Sequence, residues 1–259
     1  MAGTCYREIE HRYGDNIHIL DDPYMHTLLA ELSMSGTVQP RLNWLLTSLY
    51  DGLLRAVLNN EFPRQVRSVK TRMGAEYRGD LLDRSARVVS VDIARAGIKP
   101  SMICFELLST VLDPAVVRQD HIVMERTVDE DGTVTGAAIS GTKIGGPVDG
   151  RIILFPDPMG ATGSSLCEVL SFYGDRTEGR PAALVTLNLI VTPEFIRRIQ
   201  RDAPGVQVYA FRVDRGLSSP DVLAKVPGED WSRERGLNDH DYIVPGAGGL
   251  GEVLNNALT

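Results

Sequence analysis

The sequence lacks most features that mark membrane-spanning, secreted and metal-binding proteins. It has only three cysteines in 259 residues, Cys5, Cys104 and Cys167, at spacings that fit neither a disulfide framework nor a metal site. No apolar run is long enough to span a bilayer, and no signal peptide is recognisable. The five histidines show no ligand spacing. These absences predict a reduced, cytoplasmic chain without a metal centre of its own.

Positive charge is also scarce. The net charge is −7, which argues against a nucleic-acid-binding surface but leaves room for a local cluster of arginines around an anion. There is no Ser-His-Asp or Cys-His constellation, no internal repeat and no low-complexity tract. With 43% hydrophobic and 24% charged residues, the composition is that of an ordinary globular protein. The length predicts one domain over residues 1–259, with a polar N-terminal arm at 1–17.

The most informative stretch runs from Ile152 to Leu170. The apolar run Ile152-Ile153-Leu154-Phe155 ends at Pro156-Asp157, and a loop of small residues precedes a segment of helical period. This pattern predicts a strand, a tight loop and the start of a helix. The loop residues are Pro158, Met159, Gly160, Ala161, Thr162, Gly163, Ser164 and Ser165.

Such a loop is suited to a phosphate monoester, because small residues let backbone N–H groups turn inward at a helix N-terminus. Asp157, at the carboxyl end of the strand, is placed to hold a sugar hydroxyl or a metal-bound water. An ordinary strand-to-helix turn with a serine cap is the alternative. The loop is not a Walker motif, because it contains no Gly-Lys-Ser/Thr.

A second strand, loop and helix have the same arrangement. The apolar run Val88–Ile93 precedes the loop Ala94-Arg95-Ala96-Gly97, and a helix is predicted from about Pro100. Arg95 is therefore expected at the carboxyl end of a strand, where open α/β sheets bind ligands. There it could hold a diphosphate in bidentate fashion or form a structural ion pair.

The remaining chain alternates helices and strands. Helices are predicted at His18–Gly36, at Arg41–Asn60 and after the cap Thr192-Pro193, and a hairpin at Val66–Asp83 turns near Gly74. Further strands are predicted at His121–Met124, ending at Glu125-Arg126-Thr127, and at Ala137–Gly145, Ala182–Val191 and Val206–Phe211. Asp129–Thr135 is predicted to be a turn. This alternation predicts an α/β fold with a mainly parallel twisted sheet and helices on both faces.

Three segments, in this order along the chain, resemble motifs of the uracil phosphoribosyltransferase family. Ile93-Ala94-Arg95-Ala96-Gly97 is similar to its pyrophosphate loop, and Asp157–Ser165 to its loop for phosphoribosyl pyrophosphate (PRPP). Tyr242-Ile243-Val244-Pro245-Gly246-Ala247-Gly248 is similar to its uracil-binding segment. The resemblance covers roughly residues 18 to 259, with one insertion at 215–235, which is expected to form a surface loop or lid beside the active site.

The resemblance implies a phosphoribosyltransferase-like fold with a projecting hairpin flap, a C-terminal hood over the base and a homodimer or dimer of dimers. It implies that uracil and PRPP, carrying Mg²⁺, give UMP and diphosphate. Arg95 and Arg126 would bind the diphosphate and act in catalysis with Asp157, which orients the ribose, while 158–165 cradle the 5′-phosphate. The implied uracil-binding residues are Tyr242, Ile243, Gly248, Gly249 and Leu250.

The C-terminal motif departs from that of the family. Gly249 replaces its first aspartate, Glu252 its second, and Val253 its arginine. Glu252 is then the nearest candidate for a carboxylate at the magnesium. The insertion offers the alternatives Asp221, Glu229, Asp230 and Glu234. A transferase for another nucleobase and a catalytically weak nucleotide-binding regulator remain alternatives.

Overall fold

A central, mainly parallel sheet organises the molecule. The computed structural model describes residues 6–128 and 134–257, and the side chains of all of these except 125–128 and 134–137. The sheet order is β1-β10-β9-β7-β4-β5-β6, with the short β8 pairing β9. The strands of this sheet are β1 (Ile17–Ile19), β4 (Val88–Ala94), β5 (Val117–Val128), β6 (Val134–Lys143), β7 (Ile152–Pro156), β8 (Met159–Gly160), β9 (Ala183–Val191) and β10 (Val206–Val213).

Every pairing in this sheet is parallel except that of β5 with the edge strand β6. Helices cover both faces. One core contains apolar residues of α1 (Pro23–Leu32), α2 (Arg41–Glu61) and α3 (Ile98–Val111), and the other those of α4 (Ser164–Arg176) and α5 (Pro193–Asp202). The predicted fold class is therefore confirmed.

Helices, strands and turns were predicted correctly where the sequence has a strong capping residue or a strong hydrophobic period. Helix α2 follows its predicted span, and its leucines at helical spacing are buried in the core. Thr192 caps α5 by accepting the Phe195 N–H at 3.0 Å. The predicted hairpin is formed by β2 (Arg64–Lys70) and β3 (Glu76–Leu82), with Gly74 at φ +80° in the turn. The hairpin forms a two-stranded sheet of its own.

Among the boundary predictions that were wrong are those for α1 and β5. The segment from His18 is not helical at its start, because Ile17–Ile19 pairs with β10, and α1 begins only where Asp22 caps it, one residue before Pro23. Strand β5 does not end at Glu125-Arg126-Thr127, because its pairing with β6 extends it to Val128. The predicted turn at Asp129–Thr135 lies largely outside the described residues.

The 215–235 insertion is folded. It contains α6 (Pro220–Leu223) and a 3₁₀ turn at Trp231–Arg233, and it packs against the N-terminal segment. Beyond the insertion lies α7 (Leu250–Leu254), a short helix that was not predicted from the sequence. Among the described residues, no helix is both long and apolar enough to cross a membrane.

Candidate active site

A cleft of about 770 Å³ opens where strands β4 and β7 end. Because both strands are parallel members of one sheet, their carboxyl ends meet at the same edge. The loops that follow form one wall, and residues 241–252 close the cleft from the other side. The lining residues are Ile93, Ala94, Arg95, Ala96, Val123, Met124, Asp157, Met159, Ala161, Ser165, Asp241, Tyr242, Ile243, Gly248, Gly249, Leu250, Gly251 and Glu252.

The loop before α4 has the geometry of an anion cradle. Gly163 is the N-cap at φ +76°, a conformation that favours glycine, and a Cβ there would lie 3.2 Å from the Arg198 side chain. The Ala161 N–H donates to Met159 and the Ser164 N–H to the Thr162 hydroxyl. Of the N–H groups of residues 161–165, those of Ala161 and Ser164 are thus already donated within the loop, so Thr162, Gly163 and Ser165 are the residues whose N–H groups can turn to an anion.

Asp157 directly follows β7 and is partly buried at the cleft. Desolvation raises the pKa of this carboxyl from its ordinary 3.8 to about 6, and the Met159 N–H, which donates to it at 3.3 Å, opposes the shift. The Asn188 amide holds the Asp157 backbone carbonyl at 2.7 Å. The neighbouring strand β9 therefore fixes the backbone of Asp157 beside the cleft.

Arg95 reaches the cleft from the loop between β4 and α3. The Ala94–Arg95 peptide is cis. The guanidinium Nη2 lies 3.5 Å from Glu252 Oε1 on the opposite wall. The loop between β4 and α3 and the C-terminal segment are thus in contact through this ion pair.

The segment after Leu237 is held in place by hydrogen bonds to the backbone of Gly246. The Asp214 carboxylate accepts the Gly246 N–H at 2.8 Å, and Arg212 donates to the Gly246 carbonyl at 3.1 Å while pairing with Asp214. The Leu250 N–H donates to the Gly248 carbonyl at 3.0 Å. Two backbone groups predicted to bind uracil are therefore bonded to each other, although the Gly248 carbonyl can accept a second hydrogen bond.

The cleft gathers most of the predicted site residues. Those that line it are Arg95, Asp157, Met159, Ala161, Ser165, Tyr242, Ile243, Gly248, Gly249, Leu250 and Glu252. The predicted residues Pro158, Gly160, Thr162, Gly163 and Ser164 lie in the same loop but do not line the cleft. Arg126 lies within β5 rather than after it, and its side chain is outside the described residues.

One cation beside the loop before α4 was not predicted from the sequence. Arg198, on α5, pairs with Asp202 at 2.5 Å and donates to the Ser164 hydroxyl at 3.5 Å. Arg198 is distant from this loop along the chain, and only the packing of α5 on α4 brings the two together. The sequence therefore gives no indication of it.

The acidic residues of the insertion are not among the residues that line the cleft. Arg233 pairs with Asp221 and Asp230, and Glu234 pairs with Arg215. None of the described residues of the insertion lines the cleft, whereas the C-terminal segment brings both Asp241 and Glu252 to it.

The donor set suits a magnesium ion that arrives with a phosphate ligand. In the described ranges, no group of three or more His, Cys, Asp or Glu could hold a metal ion unaided. Asp157 and Glu252 both line the cleft, and Mg²⁺ is commonly held by one or two carboxylates together with substrate phosphates. The residues present therefore fit substrate-borne magnesium.

The parallel sheet, the anion loop at a helix start, the projecting hairpin and the C-terminal segment over the cleft define a phosphoribosyltransferase fold. A sequence model of the family described as uracil phosphoribosyltransferase matches residues 19–229. The chain belongs to the uracil phosphoribosyltransferase family.

Individual relatives are distant. A uracil phosphoribosyltransferase of Dictyoglomus turgidum is 26% identical over 236 residues, covering 91% of this chain and 97% of the relative. One of Thermoanaerobacter sp. (strain X514) is 34% identical over 104 residues, covering 40% of this chain and 39% of the relative. In that match, the chain spans well under half of the relative's length. A solved structure from Aquifex aeolicus shares the fold, with a TM-score of 0.70 at 22% identity, covering 94% of this chain and 99% of that one.

Proposed function

We propose that this protein transfers the phosphoribosyl group of PRPP to uracil, forming UMP and diphosphate. The observation that carries the proposal is the meeting of three separate segments in one cleft. Arg95 comes from the first loop, Asp157 to Ser165 from the second, and Tyr242 to Glu252 from the third. Their chemistry matches the diphosphate, ribose-phosphate and base parts of the two substrates.

In this reaction, the bond from the anomeric carbon to the diphosphate oxygen breaks, and a bond to uracil N1 forms. The diphosphate leaves with the electron pair, and the N1 proton of uracil is released. Arg95 would stabilise the charge that develops on the leaving diphosphate, with Arg126 as its proposed second cation. Asp157 would accept hydrogen bonds from the ribose hydroxyls, and the N–H groups of Thr162, Gly163 and Ser165 would hold the 5′-phosphate.

Magnesium enters the proposal as part of the substrate. When bound, it supplies positive charge to the diphosphate oxygens. Asp157 and Glu252 are the residues that would hold it. Tyr242, Ile243, Gly248, Gly249 and Leu250 would enclose the uracil, with Tyr242 packing beside the ring.

A product assay tests the reaction directly. The protein is incubated with PRPP, Mg²⁺ and, separately, uracil and other free nucleobases, and nucleotide and diphosphate are measured. We expect UMP and diphosphate in equal amounts with uracil. A faster reaction with another base would overturn the uracil assignment alone. Nucleotide binding without turnover of any base would favour a regulatory binder.

The Arg95→Ala variant tests the diphosphate assignment. Loss of a hydrogen bond to a charged group should weaken PRPP binding by about 1.5–3 kcal/mol. Arg55→Ala is the matched control, because Arg55 is exposed on α2 and pairs with Asp51 away from the cleft. Equal PRPP affinity in Arg95→Ala and the wild type, measured by calorimetry, would remove Arg95 from the site.

A further inference from the structure

The side chain of Glu252 lies against the backbone of Gly249 on the C-terminal wall of the cleft. Gly249 is the N-cap of α7, and the Glu252 side chain folds back toward it. A Cβ built on Gly249 would lie 1.9 Å from Glu252 Oε2. The carboxylate of Glu252 therefore occupies the space that any side chain at position 249 would need.

The second oxygen of this carboxylate faces the opposite wall. Glu252 Oε1 lies 3.5 Å from Arg95 Nη2, and the exposed fractions of the two side chains are 24% and 44%. Both residues line the cleft. The guanidinium expected to receive a diphosphate is thus already paired with a carboxylate.

This arrangement should bind metal-free and metal-bound diphosphate with different affinities. A diphosphate without a cation must displace Glu252 from Arg95 and then lie beside a group of like charge. A diphosphate that carries a divalent cation brings positive charge toward the released carboxylate.

We propose that Glu252, reaching Arg95 across the bare backbone of Gly249, makes the cleft select metal-bound over metal-free diphosphate. The inference rests on the proposed function, because it requires that the cleft bind a diphosphate group. It assigns Glu252 as a specificity-determining residue and Gly249 as the position that must stay without a side chain.

Gly249 offers a probe that moves the carboxylate without removing it. Its φ of −74° is accessible to alanine, and the atom that an added methyl would strike is the far end of a flexible side chain. Gly249→Ala should therefore fold normally while it expels the Glu252 carboxylate from its place. By the same reasoning, Gly249→Asp should displace Glu252 rather than simply add a second carboxylate.

The experiment is calorimetric titration with inorganic pyrophosphate, once with EDTA and once with excess Mg²⁺. A charge interaction between partly exposed groups corresponds to about three- to tenfold in affinity. We expect Glu252→Gln to bind metal-free pyrophosphate about three- to tenfold more tightly, and magnesium pyrophosphate more weakly by a similar factor. A role in folding alone would shift both affinities in the same direction.

A double-mutant cycle links the two positions. Gly249→Ala should lower the preference for the metal-bound form in the wild type and have no effect in the Glu252→Ala background. Gly174→Ala is the control, since Gly174 is exposed on α4 and an added methyl meets no atom within 4 Å.

An unchanged preference in Glu252→Gln, or equal effects of Gly249→Ala in both backgrounds, would overturn the inference and leave the proposed function standing. If the wild-type protein bound neither form of pyrophosphate, the proposed function would fail together with it.

Discussion

Asp157, which has a proposed role in the cleft, also lowers the stability of the folded protein when its carboxyl group is ionised. Its carboxyl is desolvated at the end of β7, and its pKa is raised to about 6. Below about pH 4 the group is protonated in both the folded and the unfolded chain. Between pH 4 and 6 the folded chain keeps a proton that the unfolded chain has lost, so stability falls as pH rises, and above pH 6 the cost is complete.

We therefore expect Asp157→Asn to stabilise the protein at neutral pH and to impair it as a transferase. The raised pKa of Asp157 corresponds to about 3 kcal/mol in the free energy of unfolding. The stability gained by the substitution should vanish below about pH 4. Urea denaturation at several pH values measures it. Asp15→Asn, at an exposed turn residue, should show no such profile. A gain that does not depend on pH would contradict the assigned cause.

Individual residues differ in how far the sequence determined their role. Arg95 and Asp157 were predicted correctly to lie in the cleft, because each directly follows the apolar run of a strand. Arg126 was predicted to follow a strand, but hydrogen bonding to β6 continues β5 past it. The position of Arg198 depends on packing between segments that are distant along the chain. The contact of Glu252 with Gly249 depends on the direction of a side chain. The spacing of residues in the sequence indicates neither.

At the scale of elements, the 215–235 insertion is held by one buried carboxylate. Glu234 is fully buried and accepts hydrogen bonds from the Tyr13 hydroxyl at 2.7 Å, the Gly228 N–H at 2.8 Å and Arg215 at 2.7 Å. Trp231 packs edge-on against Tyr13, with ring centroids 5.2 Å apart. The insertion therefore joins the N-terminal segment to the end of β10.

We expect Glu234→Ala to destabilise the protein by about 3–5 kcal/mol, because it leaves the Arg215 guanidinium buried and unpaired. Chemical denaturation followed by tryptophan fluorescence measures the loss, with Trp231 as a probe inside the insertion.

Asp221→Ala is the matched control. It breaks an exposed pair with Arg233, whose side-chain exposures are 58% and 51%, and should cost less than about 1 kcal/mol. Equal losses in the two variants would show that Glu234 does not anchor the insertion.

Elements with a strong period or cap were predicted, whereas short ones were missed. Helix α2 repeats its leucines over five turns, and α5 carries its own Thr-Pro start. Strand β1 has only three residues and is stabilised by β10, whose paired residues lie 191 positions later in the chain. Three residues cannot display a period, so only the pairing defines this strand.

At the scale of the molecule, the hairpin is the strongest indication of self-association. It carries the exposed apolar residues Val66, Val69, Met73 and Tyr77. Helix α2, by contrast, buries its leucines in the core. A projecting two-stranded ribbon with exposed apolar side chains is poorly stable alone and favours a partner surface.

We therefore expect a homodimer or a dimer of dimers, measured by light scattering at micromolar concentration. Replacing both Met73 and Tyr77 with serine should shift the mass toward the monomer. Met34→Ser, at an exposed site outside the hairpin, should not. A monomeric wild-type protein would refute the expectation.

The sequence by itself determined the α/β alternation, the two strand–loop–helix units and the hairpin. Each depends on hydrophobic period, caps and turn residues within a few positions along the chain. Only the tertiary structure decided that β1 pairs with β10, that the insertion packs on Tyr13 and that Glu252 fills the space beside Gly249. These contacts join residues through packing and side-chain direction, which depend on the whole fold and leave no local pattern.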